Sequence, residues 1–490
     1  MWATRRKKGN MNTAIKSSRL PGSTGSSVLR RGLLGRATFG HRRVAREELD
    51  TLGYDAWLDR QLEPDSVADG DLDVRLAPYP WLGRTPSELR AQFTGGGWAL
   101  SEGSKAVRLL RATYSERQLF ERVVDLWNDH FNVPFTAQDA NYLRPYHERH
   151  VIRAHALGKF PDFLWAVMRS PAMGAYLDQD SNLAGDPNEN FARELLELHT
   201  LGEGNGYTEN DVREVARCFT GWGYVRHWQS GEFGTFRFDP ALHDDGPKNV
   251  LGHALPAGGG EADGAIVHRI LSRDPRTARM VAFKIARTFL GQEAADGQVM
   301  LPTGESILDR LVRIYLGTGG DIRAMVREAL SQGTLTAVAP WRRRKLKAPF
   351  HFAVSLLRAT EARVTSPTTA IYALEGLGQV PFEWPDPDGY PDDVDSWAGT
   401  LAPRWKFASN LLNGWASWAD VDAADLSALC AGAGPPHWGR CVSAVLTAGE
   451  MEPGDVAQVQ SFVNQSSAPG AADLIGAFEL GASSPSFQTY

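Results

Sequence analysis

Apolar residues recur along this chain at the three-to-four-residue spacing of one helix face, and strict alternation is rare. Leu109, Leu110, Tyr114, Leu119, Val123, Leu126, Trp127 and Phe131 keep that period across 105–131. Val212, Val215, Ala216 and Phe219 form an i, i+3, i+4, i+7 stripe. Similar patterns cover 44–62, 147–169, 265–291, 304–331, 347–360 and 401–413. Phe233, Phe236 and Phe238 beside Gly231 and Gly234 predict one small hairpin. The expected fold is mainly α: a multi-helix globular body with long loops and at most a small β-hairpin.

Breaks in the pattern suggest an organisation. Residues 95–97, 255–264 and 381–396 read as linkers, and the last, PFEWPDPDGYPDDVDS, carries four prolines and cannot stay regular for long. The expectation is a disordered tail over 1–25, a main helical domain over 26–415 and an Ala- and Gly-rich helical extension over 416–490.

With 490 residues, 42% of them hydrophobic, a large core can form. A net charge of −6 gives no global attraction to nucleic acid, so no nucleic-acid partner is expected. No apolar run reaches the roughly 18 residues of a membrane span. Arg5, Arg6, Lys7 and Lys8 are followed by polar sequence without an apolar signal core, which favours the cytoplasm. Cys218, Cys430 and Cys441 are too few for a disulfide scaffold. Cys430 and Cys441 could pair in an oxidising compartment, but free buried thiols are expected.

The most chemical stretch is 178–222, DQDSNLAGDPNENFARELLELHTLGEGNGYTENDVREVARCFTGW. Asp186 followed by Pro187 predicts a helix start, and Gly202 its end. On that helix Phe191, Leu195 and Leu198 face a core, while Asn190, Glu194 and Glu197 share a second face. His199 falls about 40° from Leu195 on a 3.6-residue helix, so it leans toward the core. Counting Asp178 as position 1 puts Asp180, Asn182, Ala184, Asp186 and Glu189 at positions 3, 5, 7, 9 and 12 of a calcium-type loop. Leu183 stands where such a loop needs glycine, at a cost of roughly 1–2 kcal/mol for a left-handed residue. The rival reading is a polar loop that caps its helix. Thr208 with Asp211 predicts a capping box for the next helix, which Gly221 ends.

His130, His155, His199 and His243 sit far apart in sequence, as ligands in a helical body do. The turn His243-Asp244-Asp245-Gly246-Pro247-Lys248 gathers an imidazole, two carboxylates and an ammonium. Trp341-Arg342-Arg343-Arg344-Lys345-Leu346-Lys347 is a basic run that reads as a solvated helix start. Trp384, Trp397 and Trp405 offer a stacking platform or core anchors. No Walker loop, nucleophile elbow, H-E-x-x-H or dinucleotide fingerprint is present.

RRGLLGRATFG, LWNDHFNV, RAHALGKFPDFLWAVMRSPAMGAYLD, PNENFARELLELHTLGEGNGYTENDVREVARCFTGW, FRFDPALHDDGPKNVLG and KLKAPFHFAVSLLRA resemble a bacterial family of unknown function, number 1800. WPDPDGYPDDVDSWAG with RWKFA resembles its C-terminal part. The resemblance covers most of 26–415 and implies a mainly helical single module without an assigned activity. Relatives often carry export signals and are frequently encoded beside sulfatase-like proteins, which implies a sulfatase-like partner.

The expected function is a metal-dependent hydrolase or oxidase, with a divalent metal ion, calcium or a transition metal, as cofactor. Glu194, Glu197, His199, Arg193 and Lys248 are the candidate catalytic residues. His130, His155, His243, Asp244, Asp178, Asp180, Asn182 and Glu189 are the candidate ligands. Asn190, Trp222 and Trp384 are candidates for substrate binding. The alternative is a non-catalytic binding or assembly protein whose polar helix is structural.

Overall fold

The computed structural model describes residues 25–339 and 345–490. The fold is mainly α. The longest periodic stretches do not form single rods. The 105–131 pattern divides into Trp98–Tyr114 and Gln118–His130, and 265–291 into Ala262–Arg273 and Pro275–Leu290. Asp274 followed by Pro275 makes the second break, because proline has no N–H to donate and forces the preceding residue out of helix. Gly53, at φ 83°, cuts 44–62 into Arg43–Leu52 and Tyr54–Leu62. Short helices can turn each apolar face onto a shared core, which one long rod cannot.

Three two-stranded antiparallel ladders interrupt the helices. Trp222–Tyr224 pairs with Phe236–Phe238, Lys248–Val250 with His253–Leu255, and Arg363–Val364 with Ala419–Asp420. Phe236 and Phe238 are in strand as the pattern expected, but their partner is 222–224. The other two ladders have strands of two or three residues, too short for alternation to show.

Two apolar clusters form the core. The first draws on residues 33–338, around Trp57, Trp127, Phe160, Phe191 and Ile285. The second joins Phe39, Leu109, Leu110 and Tyr114 to the apolar side chains of 350–487. The Trp98–Tyr114 helix belongs to both: Leu100 and Val107 face one cluster, Leu109 and Tyr114 the other. Trp418, Leu426, Val442 and Phe478, from the Ala- and Gly-rich end of the chain, pack in the same cluster as Phe352, Leu357 and Phe407.

Buried charge ties the helices beside the first cluster. Glu121 accepts from Arg153 at 2.7 and 3.0 Å and from Arg108 at 3.4 Å. Burial pushes the Glu121 carboxyl up, but Arg153, Arg111 and Arg108 outweigh it and hold it at about 2. Arg108 also pairs with Asp125, fixing the helix face that carries Asp129.

Two expectations are corrected. Cys430 and Cys441 form a disulfide, with Cα atoms 5.3 Å apart, and only Cys218 is a free thiol. The turn Pro435–His437 folds the chain back so that the two sulfurs meet. In the basic run, Trp341 to Arg344 lie outside the described residues, as does 1–24 of the expected tail. Lys345 and Lys347 are described, and both are buried, not solvated. No described helix is long and apolar enough to cross a membrane.

Candidate functional site

A polar cavity of about 320 Å³ lies between the two clusters. Its first wall is the Gln118–His130 helix, whose Arg122, Asp125, Leu126 and Asp129 share one face by i, i+3, i+4, i+7 spacing, with His130 beside them. The second is the Pro275–Leu290 helix, which supplies Lys284, Arg287 and Thr288. Lys345, Ala348, Phe350, His351 and Tyr490 form the third. The fourth is the Pro-rich loop, through Asp388, Gly389, Tyr390, Asp392 and Asp393.

That loop is held by backbone contacts to the helix end it covers. The Asn132 amide donates to the carbonyls of Trp384 and Asp386 at 2.9 and 2.8 Å. Tyr176 donates to the Pro385 carbonyl at 2.6 Å, and the Trp397 indole to that of Pro391 at 2.7 Å. Gly389, at φ 75°, rests on the Asp129 backbone, where any Cβ would strike the Asp129 carbonyl oxygen. Prolines and one obligatory glycine thus turn an apparent linker into a cavity wall.

Most cavity charges are engaged. Lys345 donates to Asp392 at 2.6 Å and Arg122 to the Tyr490 hydroxyl at 3.3 Å. The Trp384 indole donates to Asp388 at 2.8 Å. Asp129 and Lys284 differ: among the described residues neither side chain has a hydrogen bond or ion pair. Burial, then Asp125 and Asp392, push the Asp129 carboxyl well above its usual range against Arg108 and Lys284. Burial, then Arg287, push the Lys284 ammonium down against Asp129, Asp392 and Asp388. The carboxyl is biased toward keeping its proton and the amine toward losing one, the reverse of their forms in water.

His130 reaches this cavity from a ring cluster with Phe131, Phe160 and His199, whose centroid is 6.1 Å away. Both histidines are buried, and none of their ring nitrogens has a well-formed hydrogen bond. Burial, then Lys284, hold His199 at about 3 and His130 well below its usual range. His199 comes from a π-helical turn, Leu195–Thr200, that continues the Asn190–Glu194 helix. The wider turn is closed by the Leu201 amide donating to the Leu196 carbonyl at 2.9 Å.

The structure therefore brings the His130 and His199 rings together. Burial, then Glu197, push the Glu194 carboxyl up, and Asp388 adds to the effect. Other expected site residues are engaged elsewhere. Arg193 donates to Glu209 at 3.0 and 2.7 Å and lies 3.8 Å from Glu197. His155 is half-buried, stacked on Phe163 at 5.8 Å. His243 contacts the Thr220 carbonyl at 2.8 Å and Asp263 at 3.3 Å. Lys248 donates to Asp263 at 2.7 Å, and Arg217 to Asp244 at 2.7 and 3.2 Å. Trp222 is 2% exposed, enclosed by Trp165, Phe219 and Phe236, so it offers no face to a substrate. Trp384 and Trp397 flank Tyr390 at 5.1 and 6.2 Å, while Trp405 stands exposed on another helix, so the three make no common platform.

The calcium-type loop is not formed. Asp180 accepts from Arg226 at 2.9 Å, and Glu189 from Arg193 at 3.2 Å. The Asn182 amide donates to the Ala216 carbonyl at 2.8 Å, and its oxygen accepts the Asn188 amide at 3.0 Å. The left-handed residues are Asp178 and Gly185, not Leu183. The helix starts at Asn190, whose amide is held by the Asn188 side chain at 3.0 Å, so Asp186 is not its cap. Arginines and backbone groups have taken the Asp180, Asn182 and Glu189 oxygens that a cation would need. Among the described residues no three His, Cys, Asp or Glu side chains are grouped to hold a metal ion.

The sequence reading missed Asp129, Lys284, Asp388, Asp392 and His351. Asp129 adjoins a histidine it had singled out, and the two loop aspartates lie in a segment read as a linker. Lys284 had a visible signal: an isolated lysine in VAFKIARTFL, on a helix with Ile285 and Phe289 fully buried.

The family model described as "Protein of unknown function (DUF1800)" matches residues 32–489, and the chain belongs to that family. No curated protein and no solved structure matches it.

Proposed function

We propose that the cavity is the working site of an enzyme that takes a small, neutral, polar molecule and moves protons on it, with Asp129 as acid and Lys284 as base. The observation that carries this is the pair of oppositely biased groups, unpartnered among the described residues, on two walls of one cavity. Five aspartates and four cations line it, so the charges nearly cancel and give no preference for a polyanion. His130 and His199 lie under the same wall as neutral rings.

The test is incubation of the full chain with a small-molecule cell extract, followed by mass spectrometry. One compound should be consumed by the wild type and spared by Asp129→Asn and Lys284→Met. A compound retained unchanged by all three proteins would favour the non-catalytic binding reading.

A divalent metal ion remains a separate proposal that this reading does not use. Stoichiometric metal on elemental analysis would redirect it to metal-assisted hydrolysis or oxidation. A sulfatase-like partner is likewise a proposal from family resemblance, tested by pulldown of a stoichiometric protein. The Cys430–Cys441 bond favours an oxidising compartment over the cytoplasm. Thiol counting on the unreduced, denatured protein should then find one free thiol per chain.

A further inference from the structure

Lysine is scarce in this chain, with ten positions against 42 arginines. Arginine does the structural pairing: Glu121, Asp180, Glu189 and Asp244 are all held by guanidinium groups. A guanidinium keeps its proton in proteins, whereas an ammonium can give its proton up and become a nucleophile. Lys284 is one of two lysines lining the cavity. The other, Lys345, is tied to Asp392, while Lys284 has no partner among the described residues. It lines the same cavity as the Asp129 carboxyl, which also has none among the described residues.

We infer that Lys284 forms an imine with a small hydroxylated aldehyde or ketone bound in this cavity, with Asp129 as proton donor. The inference rests on the acid–base reading of the same site and names its substrate class. The Lys284 Nζ lone pair forms a bond to the carbonyl carbon, and the carbonyl oxygen takes the Asp129 proton. The nitrogen returns one proton to Asp129. The resulting hydroxyl is protonated by Asp129 and leaves as water as the C=N bond forms. One carbonyl, one neutral amine and one carboxylic acid give one protonated imine, one carboxylate and one water. No oxidant or reductant takes part. The nearly cancelled lining charge suits a neutral polyol chain on the carbonyl. Tyr390 and Tyr490 line the same space and give that chain aromatic walls.

The test is reductive trapping on the full chain. The protein is incubated near neutral pH with dihydroxyacetone or glyceraldehyde and sodium cyanoborohydride, then digested and mapped by mass spectrometry. Lys159 and Lys406, both exposed, are internal references for ordinary amines. Lys284 should be alkylated measurably faster than either, because burial lowers its pKa and leaves more free base near neutral pH than on an exposed lysine. Asp129→Asn should slow labelling at Lys284 and leave Lys159 and Lys406 unchanged, with the fold checked by circular dichroism. Labelling of the reference lysines with Lys284 untouched overturns the inference. If the extract experiment still shows a compound whose consumption needs Lys284 and Asp129, the acid–base reading survives that failure. If it shows none, both fall.

Discussion

In the segment 178–248, Asp180, Glu189, Glu197 and Asp244 each meet an arginine, and Lys248 meets Asp263. In the cavity between the two apolar clusters, Asp129 and Lys284 meet no partner among the described residues. The first region has the denser run of charge along the chain. The second has the unspent charge. Density of polar residues in sequence marks where ions can pair locally. Chemistry needs a group that packing has kept from pairing while still facing open volume.

The sharpest way to break this contrast is to remove one partner from each region. Asp263 sits between Lys248 and His243, all three buried. Asp263→Ala leaves an ammonium buried without its carboxylate and should cost about 3–5 kcal/mol in urea unfolding. A loss under about 1 kcal/mol would mean that this network is not the structural element its geometry implies.

Asp129→Asn and Lys284→Met should do the opposite. Each replaces a group whose charged form is already disfavoured, so stability should stay within about 1 kcal/mol of the wild type or rise. Trapping at Lys284 is lost in the second and slowed in the first. A large loss of stability in both would place the pair among structural ions and remove the contrast.

A smaller effect follows from the histidines. His41, His147 and His199 are each held at about 3 by burial, and His130 and His351 are pushed the same way. In the unfolded chain they take up protons near pH 6.5. Their unfolded forms therefore bind more protons in mild acid, so stability is present in full above about pH 6.5 and is lost as pH falls below it. The raised Asp129, Glu194 and Asp69 carboxyls work in the other direction, but three groups do not offset five. The thermal midpoint should drop steadily from pH 6.5 to 4.5, and a flat profile would contradict the burial of these rings.

The smallest effects belong to the segment that looked most chemical. Arg193→Ala breaks half-exposed pairs with Glu189, Glu197 and Glu209 and should cost about 0–1 kcal/mol. Millimolar calcium should leave the thermal midpoint where it is, because Asp180, Asn182 and Glu189 are occupied. A calcium-dependent rise would restore the cation-loop reading and weaken the comparison.

Much of the fold was legible. The period of Val212, Val215, Ala216 and Phe219 placed the Glu209–Phe219 helix, and Thr208 with Asp211 marked its start through a capping box that forms as the spacing implies. The two-residue strand Arg363–Val364 was illegible, because its partner Ala419–Asp420 lies more than fifty positions away. Of the candidate site, His130 and His199 were visible as residues and do approach each other. Asp129 and Lys284 were not, since nothing local separates a lysine that will pair from one that will stay free.

Helix faces, caps and breaks follow from neighbours within about one turn, so the sequence by itself determined a mainly α chain cut into short helices at Gly53 and Asp274-Pro275. Which carboxylates would find arginines, and which amine would be left facing a void, was decided only when helices from distant parts of the chain closed around the Pro-rich loop. Pairing and desolvation act over a few ångströms of space, and although Asp125 and Arg287 are near neighbours along the chain, Asp129, Lys284 and Asp392 each lie over a hundred positions apart.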